Sequence, residues 1–175
     1  ARRSHLCSPD LQAVLRPDPS TAGQGTLAHR PPRLAAEVVA AADWILADLG
    51  ISTMQSDSPE RGFSYKTAGP LDMRMDPSTG EPASQLLARL SEDALAALLT
   101  ENADEPHASL VASLLKQTPV ATTHAMERIV RAGLRASLPA LSKSEVTMSV
   151  RRRVQALRIA VDDEVSALDA LLAAL

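Results

Sequence analysis

The stretch Trp44-Ile45-Leu46-Ala47-Asp48-Leu49-Gly50 sets the fold class. An apolar run this short, ending in Asp and Gly, reads as a buried strand followed by a turn. Ahead of it, residues 34–42 (LAAEVVAAA) have high helix propensity despite two valines. A helix leading into a buried strand is one unit of an α/β sheet. In open α/β sheets ligands bind at the carboxyl ends of the strands, which places Asp48 at such a crevice. Ser52, Thr53 and Gln55 follow on the same loop as hydrogen-bonding groups. The plainer alternative is that Asp48 caps the turn and Gln55 is a surface side chain.

Working outward, residues 1–33 read as irregular, for they hold five of the twelve prolines. Within them only residues 9–15 predict a short helix, with Pro9 near its first turn. The strand at 44–48 is the one good strand candidate. Residues 50–80 form a long loop that carries four glycines, three prolines, Phe63, Tyr65, Met54, Met73 and Met75. A structureless loop of about thirty residues is uncommon in a compact protein and points to function. Beyond Gly80 the pattern is helical over 82–90, 91–101 and 104–117, with Ser91 and Asp104 as N-caps. Thr122 and Thr123 offer caps for a fourth helix reaching Leu138. From about Ser149, apolar residues at Val150, Val154, Leu157, Val161, Val165, Leu168, Leu172 and Leu175 form one stripe. Their spacing predicts a single helix of roughly 25 residues.

Composition narrows the function. The 175 residues are 45% apolar and 22% charged, with a net charge of −3, so a packed core is within reach. Only Trp44, Phe63 and Tyr65 are aromatic, too few for a surface that stacks successive bases. No complete glycine-rich phosphate cradle occurs, Gly23-Gln24-Gly25 matching only its opening. Cys7 is the sole cysteine and the four histidines never fall at ligand spacing, so no disulfide and no metal site is expected. No apolar run approaches the roughly 18 residues of a membrane span, and no signal peptide follows Arg2 and Arg3. A reduced, cytoplasmic setting is the expectation.

The small net charge hides a split. Residues 34–80 hold seven acids and three bases, whereas 128–153 hold seven bases against Glu145 alone. Arg128, Arg131 and Arg135 recur at i, i+3 and i+7 and share one helix face. Arg151, Arg152 and Arg153 are placed at the start of the last helix, where the macrodipole disfavours cations. Either a phosphate-bearing partner offsets that repulsion, or the face is solvated and paired with acids of another helix.

Longer strings shift the balance between the two readings of Asp48 and Gln55. Asp48-Leu49-Gly50-Ile51-Ser52-Thr53-Met54-Gln55, then Asp57, Pro59-Glu60-Arg61-Gly62-Phe63-Ser64 and Gly69-Pro70-Leu71-Asp72-Met73-Arg74-Met75-Asp76, stand in order. They resemble the hallmark DLGxSSxQxDxPERGFS…GPLDMRMD of the RsmH (MraW) family of ribosomal RNA methyltransferases. About eighty residues further on, Gln155-Ala156-Leu157-Arg158-Ile159-Ala160-Val161, then Asp163-Glu164, resembles that family's FQALRIxVNxEL. The resemblance covers roughly residues 27–175.

The resemblance implies methylation of the exocyclic N4 of a cytidine in the decoding region of 16S (small-subunit) ribosomal RNA, with S-adenosyl-L-methionine as methyl donor. It implies an α/β fold, a partial Rossmann-like class I methyltransferase domain with an inserted all-α domain, in a mostly helical chain. The expected division is 1–81 for the methyltransferase part, 82–148 for the helical RNA-recognition part and 149–175 for a helix returning to the first. Asp48 and Gln55 match the family's cofactor contacts. The partner implied is small-subunit rRNA or the small ribosomal subunit, with Arg128, Arg131, Arg135, Arg151, Arg152 and Arg153 as RNA-facing candidates. Arg61, Asp72, Arg74 and Asp76 are expected to organise the loop, Arg74 by ion pairing, although Arg74 facing a phosphate is the other option.

The match has departures. The family's glycine-rich turn ending in Gly-His-Ser has no counterpart, no acid precedes Pro9, and Pro32 stands where the family has an aromatic. Val154 replaces a Phe, and the later Gly-Gly-Arg-Leu and Ser-Phe-His-Ser-Leu-Glu-Asp segments are missing. These departures predict weak or absent cofactor binding by residues 1–175 alone. They also leave a second reading, a catalytically incomplete relative acting as an rRNA-binding or ribosome-assembly factor.

Overall fold

The computed structural model describes residues 3–7, 13–15, 22–23, 44–48, 51 and 56–173. Contacts divide the chain into two units, residues 1–53 with 163–175, and residues 54–162. The expected boundaries near 81 and 148 both fall inside the second unit.

In the first unit, strands β1 (Arg3–Cys7), β2 (Ala13–Leu15), β3 (Ala22–Gly23) and β4 (Trp44–Asp48) form one sheet in the order β3-β2-β1-β4. β1 and β4 run parallel, in register from Arg3↔Trp44 to Cys7↔Asp48. The β1–β2 and β2–β3 pairs are antiparallel. The strand expected at 44–48 is present, but it is one of four. Ala13–Leu15, read as part of a short helix, is β2 and pairs with Ser4 and His5. Three residues carry too little intrinsic preference to resist a neighbouring strand edge. The helix expected over 34–42 lies outside the described residues.

The second unit is built from five helices: α1 (Ala83–Arg89), α2 (Glu92–Ala103), α3 (Ala108–Lys116), α4 (Thr123–Ser137) and α5 (Lys143–Val161). α2 packs on α3 and α5, and α4 packs on both α3 and α5. Their shared core is Leu95, Leu99, Val111, Leu115, Met126, Val130, Leu134, Val146, Val150 and Leu157, all buried. On α4, Met126, Val130 and Leu134 recur every fourth residue, the spacing that keeps one helix face inward. Lys116 ties α3 to the last turn of α1, donating from Nζ to the carbonyls of Leu87 at 2.9 Å and Ala88 at 3.1 Å.

Helix starts follow local capping. Ser91 and Thr122 accept from the backbone N–H groups of Ala94 and Ala125, as their positions predict. Asp104, expected as an N-cap, instead closes α2 in the left-handed conformation at φ 47°. Aspartate tolerates that conformation better than most residues.

The last helix differs most from expectation. α5 begins at Lys143, behind a capping box in which Ser142 and Glu145 satisfy each other's backbone N–H groups. It ends at Val161; Asp163 turns left-handed at φ 48°, and α6 (Glu164–Ala173) starts anew in the first unit. The apolar stripe is therefore carried by two helices. The break falls at two adjacent aspartates, whose short carboxylates compete for backbone N–H groups. Arg151–Arg153 consequently lie in mid-helix, and the macrodipole has no bearing on them.

Candidate functional site

Residues 57–81 hold one 3₁₀ turn, Pro59–Arg61, and a single β-bridge from Pro70 to Thr122, yet they are tightly folded. Phe63, Leu71 and Met73 are buried. Gly62 follows the 3₁₀ turn at φ 72°, and Met73 adopts φ 64°. Met73 N–H donates to the Arg61 carbonyl at 3.0 Å, so the two motif segments PERGFS and GPLDMRMD are laced together.

Arginines complete the lacing. Arg61 Nη2 donates to the carbonyls of Arg74 at 3.1 Å and Met75 at 2.7 Å, and its guanidinium lies 5.8 Å from the centre of the Phe63 ring. Arg74 forks onto Asp72, Nε to Oδ1 and Nη2 to Oδ2, both at 2.8 Å. Asp76 accepts from the N–H and hydroxyl of Ser78 at 2.9 and 2.6 Å. Every member of Arg61, Asp72, Arg74 and Asp76 thus bonds inside the loop.

The Arg74 hydrogen bonds hold the Asp72 carboxyl below its ordinary pKa. A depressed carboxyl stabilises the fold fully above its ordinary value and loses that contribution as pH falls through the folded value. Acid unfolding should therefore show an Asp72-dependent limb below about pH 4. Asp72→Asn should flatten it in a far-UV circular dichroism titration and leave the neutral-pH signal in place. An unchanged limb would show that Asp72 contributes nothing there.

The loop is anchored to the helices by residues that its own motifs do not contain. Thr123, the wholly buried first residue of α4, donates from Oγ1 to the Thr67 carbonyl at 2.8 Å and accepts from Gly69 N–H at 3.2 Å. Leu71 N–H donates to the Ala121 carbonyl, and Ser84 N–H to the Leu71 carbonyl, both at 2.9 Å. At the far end, Asp162 Oδ1 accepts from Met75 N–H at 2.7 Å. A carboxylate at a helix C-terminus opposes the macrodipole, so this bond has a cost to overcome. Thr123→Val keeps the shape of the side chain but orphans two backbone groups. It should lower unfolding free energy by about 2 kcal/mol in urea titrations. A loss within experimental scatter would mean that water replaces the hydroxyl.

The arginines read as one basic group are not equivalent. Arg128, Arg135 and Arg151 are exposed, and Arg152 is half-buried. Arg131 is held by Glu127 through bonds of 3.0 and 2.8 Å and reaches Thr147 on α5 at 3.4 Å. The acid it pairs with lies on its own helix, one turn earlier. Arg153 is 0% exposed, which removes it from any RNA-facing surface. Consecutive residues on a helix fan out by about 100°, so three arginines in a row cannot share a face. Arg151 donates from Nε to the Tyr65 hydroxyl at 3.3 Å and so joins α5 to the motif loop. The contacts made by Thr123, Asp162 and Tyr65 are not legible in the sequence, because each acts through a partner more than fifty residues away.

In the first unit, Asp48 is the last residue of β4, opposite Cys7 at the carboxyl end of the parallel pair. Gln55 lies outside the described residues. No group of three His, Cys, Asp or Glu that could hold a metal ion occurs among the described residues. No described helix is long and apolar enough to cross a membrane.

The model of the MraW methylase family matches residues 22–175, which include β4, the laced loop and all six helices. The chain belongs to the MraW methylase family. A ribosomal RNA small subunit methyltransferase H of Halorhodospira halophila is 42% identical over 166 residues, 91% of this chain and 49% of the relative. One from Myxococcus xanthus is 43% identical over 145 residues, 82% of this chain and 45% of the relative. A third, from Alkaliphilus metalliredigens, is 41% identical over 127 residues, 70% of this chain and 36% of the relative. The chain thus spans half or less of the length of these MraW-family relatives.

Proposed function

We propose that this chain works in S-adenosylmethionine-dependent methylation of the N4 amino group of a cytidine in small-subunit rRNA, in the cytoplasm. The match of the MraW methylase family over residues 22–175 carries the reading. The parallel β1–β4 pair supports it, because its carboxyl end is where such a sheet receives a ligand and Asp48 ends it. In this reading the sheet belongs to a Rossmann-like methyltransferase domain and the five helices to an RNA-recognition part.

The cofactor, when bound, supplies an electrophilic sulfonium methyl. Asp48 and Gln55 would hold it: a carboxylate suits both the sulfonium and the amino group, and an amide suits either polar end. The transfer is an in-line displacement, in which orientation matters more than a strong base. The cytosine N4 is a weak nucleophile because its lone pair is delocalised into the ring. A carboxylate or carbonyl acceptor beside it aligns that lone pair and takes the proton released as the N–C bond forms.

Arg128, Arg135, Arg151 and Arg152 are the RNA-facing set, without Arg131 and Arg153. Arg128→Gln with Arg135→Gln should lower the slope of log affinity against log salt by about 2, one unit per lost phosphate contact. Fluorescence anisotropy on a small-subunit rRNA fragment measures it. An unchanged slope would take this face out of RNA binding.

The function itself is tested with small subunits isolated without the modification and a labelled methyl donor. Label recovered as N4-methylcytidine after nuclease digestion supports it, and label in another nucleoside overturns the N4 assignment. RNA retained without any label favours the incomplete relative, a reading that Pro32 and the lack of an acid before Pro9 also support.

A further inference from the structure

Arg74, Arg89 and Arg131 each close on a carboxylate, those of Asp72, Glu81 and Glu127. Arg151 does not. Its Nε donates to the Tyr65 hydroxyl at 3.3 Å, in a bond that lies at the protein surface. Neither side chain makes another hydrogen bond or ion pair among the described residues.

The neighbours on α5 do not offset the charge of Arg151 either. The residues one turn away are Thr147, Met148, Val154 and Gln155, none of them acidic. Lys66, next to Tyr65 in the chain, is exposed and adds a second cation. The hydrogen bond to Tyr65 raises the Arg151 pKa above its ordinary value, so the guanidinium stays charged.

Tyr65 is held from both sides. Two residues before it Phe63 is buried, and two residues after it the Thr67 carbonyl accepts from the buried Thr123 hydroxyl at 2.8 Å. The Tyr65 hydroxyl therefore meets α5 at a fixed point and orients the guanidinium in turn. Within a planar guanidinium the Nε and Nη2 N–H bonds form one fork. With Nε taken by the hydroxyl, Nη2 is left beside it. A hydroxyl that accepts one hydrogen bond can still donate its own proton. One acceptor can thus meet two donors here, next to positive charge that no described carboxylate neutralises.

We propose that Tyr65 and Arg151 form a two-point seat for one backbone phosphate of RNA, with the Tyr65 O–H and Arg151 Nη2–H as donors and Lys66 alongside. The assignment rests on the rRNA reading above. It adds a hydroxyl from the motif loop to a basic set otherwise confined to α4 and α5. Phosphate contacts of this kind fix register and orientation and carry no sequence information. The seat would therefore hold the RNA strand where the motif loop meets α5, whatever the bases are.

Tyr65→Phe keeps the ring and removes only the hydroxyl. In fluorescence anisotropy with the full chain and a small-subunit rRNA fragment, it should weaken binding roughly 5-fold. The loss should be the same on a fragment of scrambled sequence, and the salt slope should not change, since no cation is removed. Arg151→Gln should lower that slope by about 1. Tyr65→Phe added to Arg151→Gln should cost less than about 2-fold more, because both groups act on one phosphate. Tyr65 is the sole tyrosine, so fluorotyrosine incorporation gives a single fluorine resonance, which should shift saturably with the rRNA fragment. Tyr65→Phe binding within about 2-fold of the parent, additive losses in the double variant, or an unmoved resonance at saturating RNA would each overturn the proposal. So would a fall in the urea midpoint of Tyr65→Phe that matches its loss of affinity. In all of these cases the parent still binds rRNA and that reading stands, whereas a parent that binds no rRNA would overturn both.

Discussion

Asp48→Ala is expected to lower the rate of methyl transfer by on the order of 100-fold, the scale of effect when a reacting centre loses its orientation. The substitution removes the carboxylate of the residue that ends β4, opposite Cys7 in the parallel β1–β4 pair. RNA affinity should stay within about 2-fold of the parent, since the proposed phosphate contacts lie on α4 and α5. Single-turnover transfer from labelled cofactor gives the rate, and anisotropy on an rRNA fragment gives the affinity. A rate reduced less than about 5-fold would remove Asp48 from the cofactor site. A parallel collapse of RNA affinity would instead indicate general misfolding.

The second large effect is structural. A Cβ on Gly69 would overlap the backbone carbonyl of Pro59, and one on Gly62 would overlap that of Pro70. Both neighbours are backbone atoms inside the laced loop and cannot rotate away. Gly69→Ala should therefore cost about 3 kcal/mol, the upper range for overpacking a fitted site. Gly62→Ala should cost at least as much, because φ 72° adds left-handed strain to the overlap. Gly80 separates the two contributions. It has φ 67° but nothing within 4 Å of a Cβ, so Gly80→Ala should cost only about 1 kcal/mol. Urea unfolding of the three variants checks the order. A Gly69→Ala protein as stable as Gly80→Ala would mean that the two motif segments are not packed together.

These expectations show which features a sequence can reveal. Ser91 and Thr122 announce helix starts because an N-cap acts on backbone only three residues away. The start of α5 was equally readable from Ser142 and Glu145, yet the apolar stripe drew attention to a point six residues later. The end of α5 was not readable, since Asp162 and Asp163 interrupt no apolar position. What stops the helix there includes a bond from Met75, eighty-seven residues away in the chain.

The same distinction separates the arginines. Spacing puts Arg128, Arg131 and Arg135 on one side of α4, and spacing also rules out a shared face for Arg151, Arg152 and Arg153. It could not show that Arg153 is buried near Glu105, because that depends on how α5 packs against the α2–α3 junction. The loop motifs are legible as a signature, but their physical role is not. Gly62 and Gly69 matter for what lies opposite them, and Arg61 for two carbonyls that only the folded loop brings within reach.

The most direct measurement is the mass spectrum of nucleosides from small-subunit rRNA of cells with and without the gene that encodes this chain. N4-methylated cytidine is expected to be present in the parent, absent after deletion, restored by the intact gene and not restored by the Asp48→Ala form. N4-methylated cytidine persisting unchanged after deletion would contradict it.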